Sequence, residues 1–408
     1  MFAVPEAQIT PRTRRTRWGW ATLLTAGALL AGACGGAESA TPDPAPQGDA
    51  AAQADDGGQD VDTPTTEAPT TTRPLRSFTV AASGDLLLHT PVMASGQQNA
   101  GGDGYDFNPM FDEVRDIISR ADLAICHQET PISYDNTELT GYPIFNAPRD
   151  IAPAIVNAGF DACEATSNHS LDKGFDGVKA TLDVFDENGI AHTGTGRSAE
   201  EVANPPIYEV NGVRIGHLAF TYSYNGIPVP ADAPWLGELL YPEIGVQAVL
   251  DRAHQLRERG AEFVIISMQW GNEYQQAPTE EQRQWAKDLL GSPDVDLILG
   301  DHVHVIQPCE KINGKYVHYG MGNFLSNQSP NAGLLASTQD GAVVSYQIQE
   351  TSPGVFATTS MTYAPTFVNI PGHDIQLATP DRHPQSHERT VEAMTALGPG
   401  ACDATPEY

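Results

Sequence analysis

From residue 78 onward, apolar residues recur along the chain in two alternating rhythms. Phe78-Thr79-Val80-Ala81-Ala82 is a β-rich run that stops at Ser83-Gly84-Asp85. Phe111, Val114 and Ile118 fall at helical spacing within Met110 to Ala121, and Leu123-Ala124-Ile125-Cys126 follows as a short apolar strand. The pair then repeats, with a helix from Asp150 to Ala158 closed by Gly159 and a strand from Phe160 to Thr166. Phe175 to Asn188 sets Val178, Leu182 and Phe185 on one face and ends at Gly189. Helices over Ile244 to Arg259 and Glu280 to Leu290 lead into the strands Phe263-Val264-Ile265-Ile266 and Leu297-Ile298-Leu299. This alternation predicts an α/β fold with parallel strands covered by helices. Val210 to Tyr222, Tyr316 to Phe324 and Val343 to Gln349 read as strands without long helices between them, and predict a mixed or second sheet. Beyond Gly372 the chain is polar apart from a helix over Glu388 to Leu397.

Ahead of residue 77 the pattern is different. Arg12, Arg14, Arg15 and Arg17 precede an apolar run from Ala21 to Ala33, the charged and apolar regions of a secretory signal. That run is too short to span a bilayer. It ends Leu30-Ala31-Gly32-Ala33-Cys34, which resembles a bacterial lipobox with Cys34 as the lipidated residue. Cleavage after Ala33 without lipid is the alternative, and Arg14-Arg15 also admits twin-arginine export. From Gly35 to about Arg76 large apolar side chains are almost absent, so burial cannot offset the entropy of ordering. The expected organisation is a lipoprotein-type signal peptide over 1–34 and a disordered, acidic Pro/Thr/Ala-rich linker over 35–76. A folded domain over 77–372 and a tail over 373–408 follow. The expected address is an exported cell-membrane lipoprotein facing the extracellular side or the periplasm.

Composition narrows the function. The 408 residues hold 22 Lys and Arg against 52 Asp and Glu, a formal net charge of −30, which excludes a simple nucleic-acid binder. Setting Cys34 aside, Cys126, Cys163, Cys309 and Cys402 form an even set in an oxidising compartment and allow three pairings. Cys126 with Cys163 is favoured because both lie near the ends of consecutive predicted strands. Cys309 would then join Cys402 and fasten the tail, the alternative being four buried thiols. No CxxC occurs, so thiolate metal ligation is not expected.

Ligand sites in open α/β sheets lie beyond the carboxyl ends of the strands. Here those ends read Gly84-Asp85 with His89 nearby, His127-Gln128-Glu129, Ser167-Asn168-His169 with Asp172, Gln269-Trp270-Gly271-Asn272-Glu273, and Gly300-Asp301-His302-Val303-His304. Oxygen and nitrogen donors without thiolate suit Mn, Fe or Zn, one or two ions, in a hydrolytic centre. His302 and His304 stand two apart after an apolar strand, a spacing that turns both toward one side.

Six ordered motifs carry a family resemblance between about Phe78 and Ile370. They are Ser83-Gly84-Asp85-Leu86, Asp122 to Pro131, Ser167-Asn168-His169-Ser170-Leu171-Asp172, Gln269 to Tyr274, Gly300 to Gln307, and Gly320-Met321-Gly322-Asn323-Phe324. This series resembles the CapA family of poly-gamma-glutamate capsule biosynthesis proteins, related to calcineurin-like metallophosphoesterases. The resemblance implies a four-layer α/β/β/α sandwich with two sheets inside and helices outside. It also implies that Asp85 and His304 bind one metal, Asn168 and His302 another, and that Glu129 bridges them. Gln269 stands at a ligand position where the family commonly has His, and Glu129 where true phosphoesterases have Asp. His169, with Asp172, would be catalytic, stabilising the developing charge or protonating the leaving oxygen. Trp270, Glu273, Tyr274 and Asn323 would line the substrate cleft or orient ligands. The implied activity is hydrolysis of a phosphoester or of an amide in an anionic envelope polymer. A non-catalytic factor that binds the polymer or assembles the capsule synthase subunits is the alternative. Ser170-Leu171-Asp172-Lys173 also matches the SxxK of serine acyl-enzymes, but no Lys-Thr-Gly follows.

Overall fold

The computed structural model describes residues 73–408. The expected signal peptide, Cys34 and the expected linker as far as residue 72 lie outside the described residues.

The chain lays down half of one sheet, builds a second, and then returns to finish the first. Strands β1 (Ser77–Leu86), β2 (Leu123–Gln128), β3 (Ala162–Glu164) and β4 (Ala191–Thr193) run parallel in that order. Between them lie α1 (Thr90–Asn99), α2 (Arg115–Ile118), α3 (Ile151–Ala158) and α4 (Gly174–Asn188). Helix α5 (Ala199–Ala203) leads into the second sheet, made of β5 (Ile207–Val210), β6 (Val213–Thr221), β7 (Phe263–Gln269), β8 (Leu297–Asp301), β9 (Cys309–Ile312) and β10 (Lys315–His318). Its order is β5-β6-β7-β8-β10-β9, with α6 (Tyr241–Glu258) and α7 (Glu280–Gly291) as its crossovers. Then β11 (Asn323–Leu325), β12 (Asp340–Ser352), β13 (Val355–Asn369), β14 (Asp374–Leu377) and β15 (Thr405–Pro406) join the first sheet, and α8 (Pro384–Met394) lies between the last two.

Strand alternation separates three apolar layers. Val80, Ala82, Leu123, Ile125 and Ala162 of the first sheet pack with Ile215, Phe263, Ile265, Leu297 and Leu299 of the second. The intervening residues Ala81, Ala124, Cys126 and Cys163 face a layer shared with α3 and α4. Val264, Ile266 and Ile298 face one shared with α6 and α7. This is the α/β/β/α sandwich.

Several elements depart from the sequence pattern. The run Val210 to Tyr222 is a hairpin, β5 and β6, turned at Asn211-Gly212, both with positive φ. Asn-Gly is the dipeptide that such a turn requires. The run Tyr316 to Phe324 splits, β10 pairing with β8 and β11 with β1, so one stretch serves both sheets. The helix expected over Met110 to Ala121 is reduced to a 3-10 turn at Asn108–Phe111 and the single α-turn of α2. Residues 373–408 are built into the fold rather than forming a tail. β14 pairs with β13, and Arg389 and Ser386 of α8 bind the buried Asp340 carboxylate. Both expected disulfides are present: Cys126–Cys163 joins register partners of β2 and β3, and Cys309–Cys402 ties the C-terminal segment to β9.

Candidate metal centre

The layer between the sheets stops being apolar at the carboxyl ends of its strands. The alternation that buries Leu123 and Ile125 continues to His127, that of Ala162 to Glu164, and that of Leu297 and Leu299 to Asp301. Register aligns Asp85 with His127 and His127 with Glu164 across β1, β2 and β3. Gly84 is the hinge of this rim, because a Cβ there would lie 1.9 Å from the Gly322 carbonyl oxygen. That close approach lets β11 pair with β1 and sets Asn323 opposite Asp85.

Asp85, Glu129 and His304 converge, their ligand atoms within 4.8 Å of one another, and all three are buried. Asp85 Oδ2 lies 2.8 Å from His304 Nδ1, and Asp85 Oδ1 accepts the His302 backbone N–H at 3.3 Å. His304 Nδ1 is also 3.1 Å from Asn323 Oδ1, and its Nε2 is 3.8 Å from Glu129. Burial opposes the charged imidazole of His304, but the Glu129 charge and the Asp85 hydrogen bond outweigh it and bring the group up to about 9. Burial pushes the Glu129 carboxyl up to about 7. For Asp85 burial is outweighed by His304, and the carboxyl is held below its ordinary value. Neither Glu129 oxygen takes a hydrogen bond from any described residue. A desolvated carboxylate with no donor is costly, and a divalent cation is the partner that this oxygen and nitrogen set fits.

The other expected ligands are close by but engaged differently. Gln269 Nε2 donates to Asn168 Oδ1 at 2.6 Å and Gln269 Oε1 accepts the Asn168 backbone N–H at 2.8 Å and the Thr221 hydroxyl, while Asn168 Nδ2 donates to Asn225 Oδ1 at 3.2 Å, so both amide oxygens already have donors. The His302 ring lies tilted against that of Tyr222 with centroids 4.5 Å apart, its Nδ1 has no hydrogen-bond partner among the described residues, and burial takes it down to about 3. The strand has ended at Asp301, and both His302 and His304 have left-handed backbone, φ 90° and 58°. Local turns, not strand alternation, therefore aim these two rings, at a conformational cost of about 1–3 kcal/mol each.

His169 Nδ1 is held 2.8 Å from Asp172 Oδ2, which also accepts the Phe145 backbone N–H at 2.7 Å. Asp172 thus orients His169. A cavity of about 360 Å³ is lined by His169, His304, Glu273, Tyr274, His89 and Phe145, among others. Glu273 and Tyr274 accordingly sit where a substrate cleft was expected. Trp270 does not: it is fully buried against Ala286 and Leu289, and its indole N–H donates to the Tyr319 carbonyl at 2.8 Å. Asn323 is equally buried, and its amide donates to the Thr338 carbonyl at 2.8 Å while its oxygen faces His304. It is a positioning residue. A larger cavity of about 670 Å³ is lined by Arg197, Arg252 and Arg259 and by none of the expected site residues; Arg197 is bound by Asp183, Asp186 and Glu201.

A second buried cluster, His127, Glu164 and Asp301, has ligand atoms within 4.8 Å of one another. His127 and Asp301 stand among the strand-end donors of the sequence but are not assigned as ligands there, and Glu164 is not singled out at all. The available signal was strand parity, which turns all three toward the gap between the sheets.

The sequence profile of the bacterial capsule synthesis protein family, PGA_cap, matches residues 79–328. The chain belongs to this family. PGA_cap relatives include the PGA biosynthesis protein CapA of Bacillus subtilis, 29% identical over 255 residues, with 61% of this chain and 64% of that protein covered. The chain therefore spans a little under two thirds of that relative. The capsule biosynthesis protein CapA of Bacillus anthracis is 25% identical over 296 residues, covering 71% of this chain and 68% of that protein. Among solved structures, the calcineurin-like phosphoesterase YfkN of Bacillus subtilis aligns at a TM-score of 0.39 and 12% identity, over 78% of this chain and 99% of that one. A likeness so distant says nothing about the chemistry of this chain. The PGA_cap match itself contains Asp85, Glu129, Asn168, His169, Gln269, His302, His304 and Asn323.

Proposed function

We propose that this PGA_cap protein acts in the synthesis or handling of poly-gamma-glutamate or a related anionic surface polymer, as a metal-dependent hydrolase of a phosphoester or of a polymer amide. The observation that carries the reading is the buried Asp85–Glu129–His304 convergence beside the 360 Å³ cavity, with both Glu129 oxygens lacking a donor. Asp85, Glu129 and His304 would hold one divalent ion of the Mn, Fe or Zn class. Asn168, Gln269 and His302 would hold a second. A divalent ion supplies Lewis-acid stabilisation of the charge that builds on the ester or amide oxygen. His169, fixed through Nδ1 by Asp172, keeps Nε2 to give a proton to the leaving oxygen of an ester or the leaving nitrogen of an amide. Glu273 and Tyr274 would contact the substrate. Since the chain carries a net charge of −30, an anionic polymer is repelled at long range, and the cation is what offsets that repulsion at the cleft.

The same proposal includes export, with residues 1–34 as a lipoprotein signal, Cys34 lipidated, and 35–76 as a tether. No helix among the described residues is long and apolar enough to cross a membrane. Capsule synthase subunits would be its partners at the envelope.

One observation favours a second reading, a polymer-binding or synthase-assembly factor without turnover: the Asn168 and Gln269 amide oxygens already accept hydrogen bonds within the protein. Metal content and hydrolysis of a generic phosphodiester and of poly-gamma-glutamate separate the two. The hydrolase reading expects bound metal, turnover, and a loss of about 10²–10⁴-fold in kcat for His169→Asn at unchanged metal content. Metal without turnover on either substrate establishes the assembly role. Unchanged metal content when His302 and His304 are both replaced by Ala overturns the centre itself.

A further inference from the structure

Beneath the Asp85 centre, His127, Glu164 and Asp301 come from three strands in two sheets and meet in the gap between them. They are 1%, 1% and 2% exposed, so water does not solvate them. Both ring nitrogens of His127, both oxygens of Glu164 and Asp301 Oδ1 have no properly formed hydrogen bond among the described residues. His127 Nδ1 nevertheless presses against Glu164, and its Nε2 lies 3.7 Å from Asp85 Oδ1. No Lys or Arg forms an ion pair with Glu164 or Asp301 among the described residues. Buried carboxylates otherwise pair with a cation or bind a metal, because the desolvation of an unmatched charge is costly.

We infer that His127, Glu164 and Asp301 form a separate, closed binding site for one divalent cation, distinct from the centre that opens on the cavity. The ligand chemistry is one imidazole nitrogen and two carboxylates, which suits a borderline ion of the Zn, Mn or Fe class. Two carboxylates and a neutral imidazole carry a charge of −2, which such an ion cancels. The ion joins β2 and β3 of the first sheet to β8 of the second, so its role is to clamp the sheets behind the reaction cleft. The cavity of about 360 Å³ is lined by His304 and His169 but by none of these three side chains. The rival occupant is a proton shared among the same three groups, which would also neutralise them in part.

The inference is tested on the unmutated protein by anomalous diffraction above the absorption edge of the bound metal. A peak about 2.0–2.2 Å from one nitrogen of His127 and from oxygens of Glu164 and Asp301 supports it. A map with density at the Asp85 centre alone, or at neither place, overturns it and assigns the cluster to shared protons. Native mass spectrometry gives a second readout. Glu164→Gln with Asp301→Asn should lower the stoichiometry by one ion per chain, whereas Glu129→Gln should remove ion from the other centre and leave this one. Unchanged stoichiometry in the Glu164/Asp301 variant overturns the inference. If that variant fails to fold, the diffraction experiment decides. Because the two centres give separate peaks, loss of this site leaves the proposed hydrolytic function standing, and the reverse.

Discussion

The layer between the two sheets is closed by charge at both ends, but by different means. At the amino ends, just before β1 and β7, the Arg76 guanidinium sits between Glu350 of the first sheet and Glu262 of the second, at 2.9 and 2.5 Å. The chain supplies its own cation there, and every contact is direct. At the carboxyl ends four carboxylates, Asp85, Glu129, Glu164 and Asp301, are buried with His127, His302 and His304 and no Lys or Arg forms an ion pair with any of them among the described residues. A tethered cation fixes structure and cannot be exchanged. The end without one groups oxygen and nitrogen donors that a divalent ion would fit, and that is the end where the motifs of the family cluster.

The largest break in this contrast comes from removing the tethered cation. Arg76→Met takes the guanidinium away from Glu350, whose side chain is 0% exposed, and should cost about 3–5 kcal/mol in urea denaturation. Metal content at the opposite end should be unchanged, since nothing of Arg76 reaches it. A cost below about 1 kcal/mol would mean that the amino end is not held by this pair.

A smaller effect is expected from loosening the carboxyl end without touching a ligand. Asn323→Ala removes the oxygen 3.1 Å from His304 Nδ1 and the hydrogen bond that the amide donates to the Thr338 carbonyl, which holds it. Partners of this kind are worth about 10–100-fold in metal affinity, read by chelator competition. Unchanged affinity would place the orientation of His304 with Asp85 alone.

The mildest test is pH. In chelator-treated protein His304 is raised from 6.5 to about 9, so the stability it contributes is complete below pH 6.5 and disappears as pH rises through 9. Glu129, raised from 4.5 to about 7, changes in the same direction over its own lower window. Buried neutral histidines such as His217 and His318, lowered to about 3 and 4, act only below pH 6.5, whereas His127, raised against its burial chiefly by Glu164, adds to the fall above it. Denaturation midpoints should therefore fall between pH 6.5 and 9 for the metal-free protein and stay level once metal has displaced the proton. A flat metal-free profile would contradict the coupling of His304 to Asp85 and Glu129.

Much of the fold was legible because strands and helices differ in period, and Gly159 and Gly189 close α3 and α4 where the pattern stops. Register was not. Nothing in the apolar run of residues 316–324 says that its first half belongs to one sheet and its second to the other. The Asn211-Gly212 turn is a visible signal, but the apolar pattern continues on both sides of it and reads as one longer strand. At the site, polar residues at strand ends pointed to Asp85, Glu129, His169 and His304, but Trp270, in the Gln269–Tyr274 motif at another strand end, turns back into the core. His127, Glu164 and Asp301 become significant only when the parity of three strands is followed to their last residue and the two sheets are known to face each other. His302 and His304 converge through left-handed turns, a backbone choice that their spacing does not encode.

The return of the chain to its first sheet has a consequence for biogenesis. Strand β1, among the earliest segments of the folded part, pairs with β2 on one side and with the late strands β11 and β12 on the other. A polypeptide delivered from its amino terminus can close Cys126–Cys163 as soon as β3 has emerged, whereas Cys309–Cys402 must await nearly the last residue. Until β11 and β12 have followed, that edge of β1 is an unpaired template for foreign strands. Contacts this distant in sequence make for slow folding, so the interval between delivery and closure is when this molecule is most exposed to misassembly and to proteases.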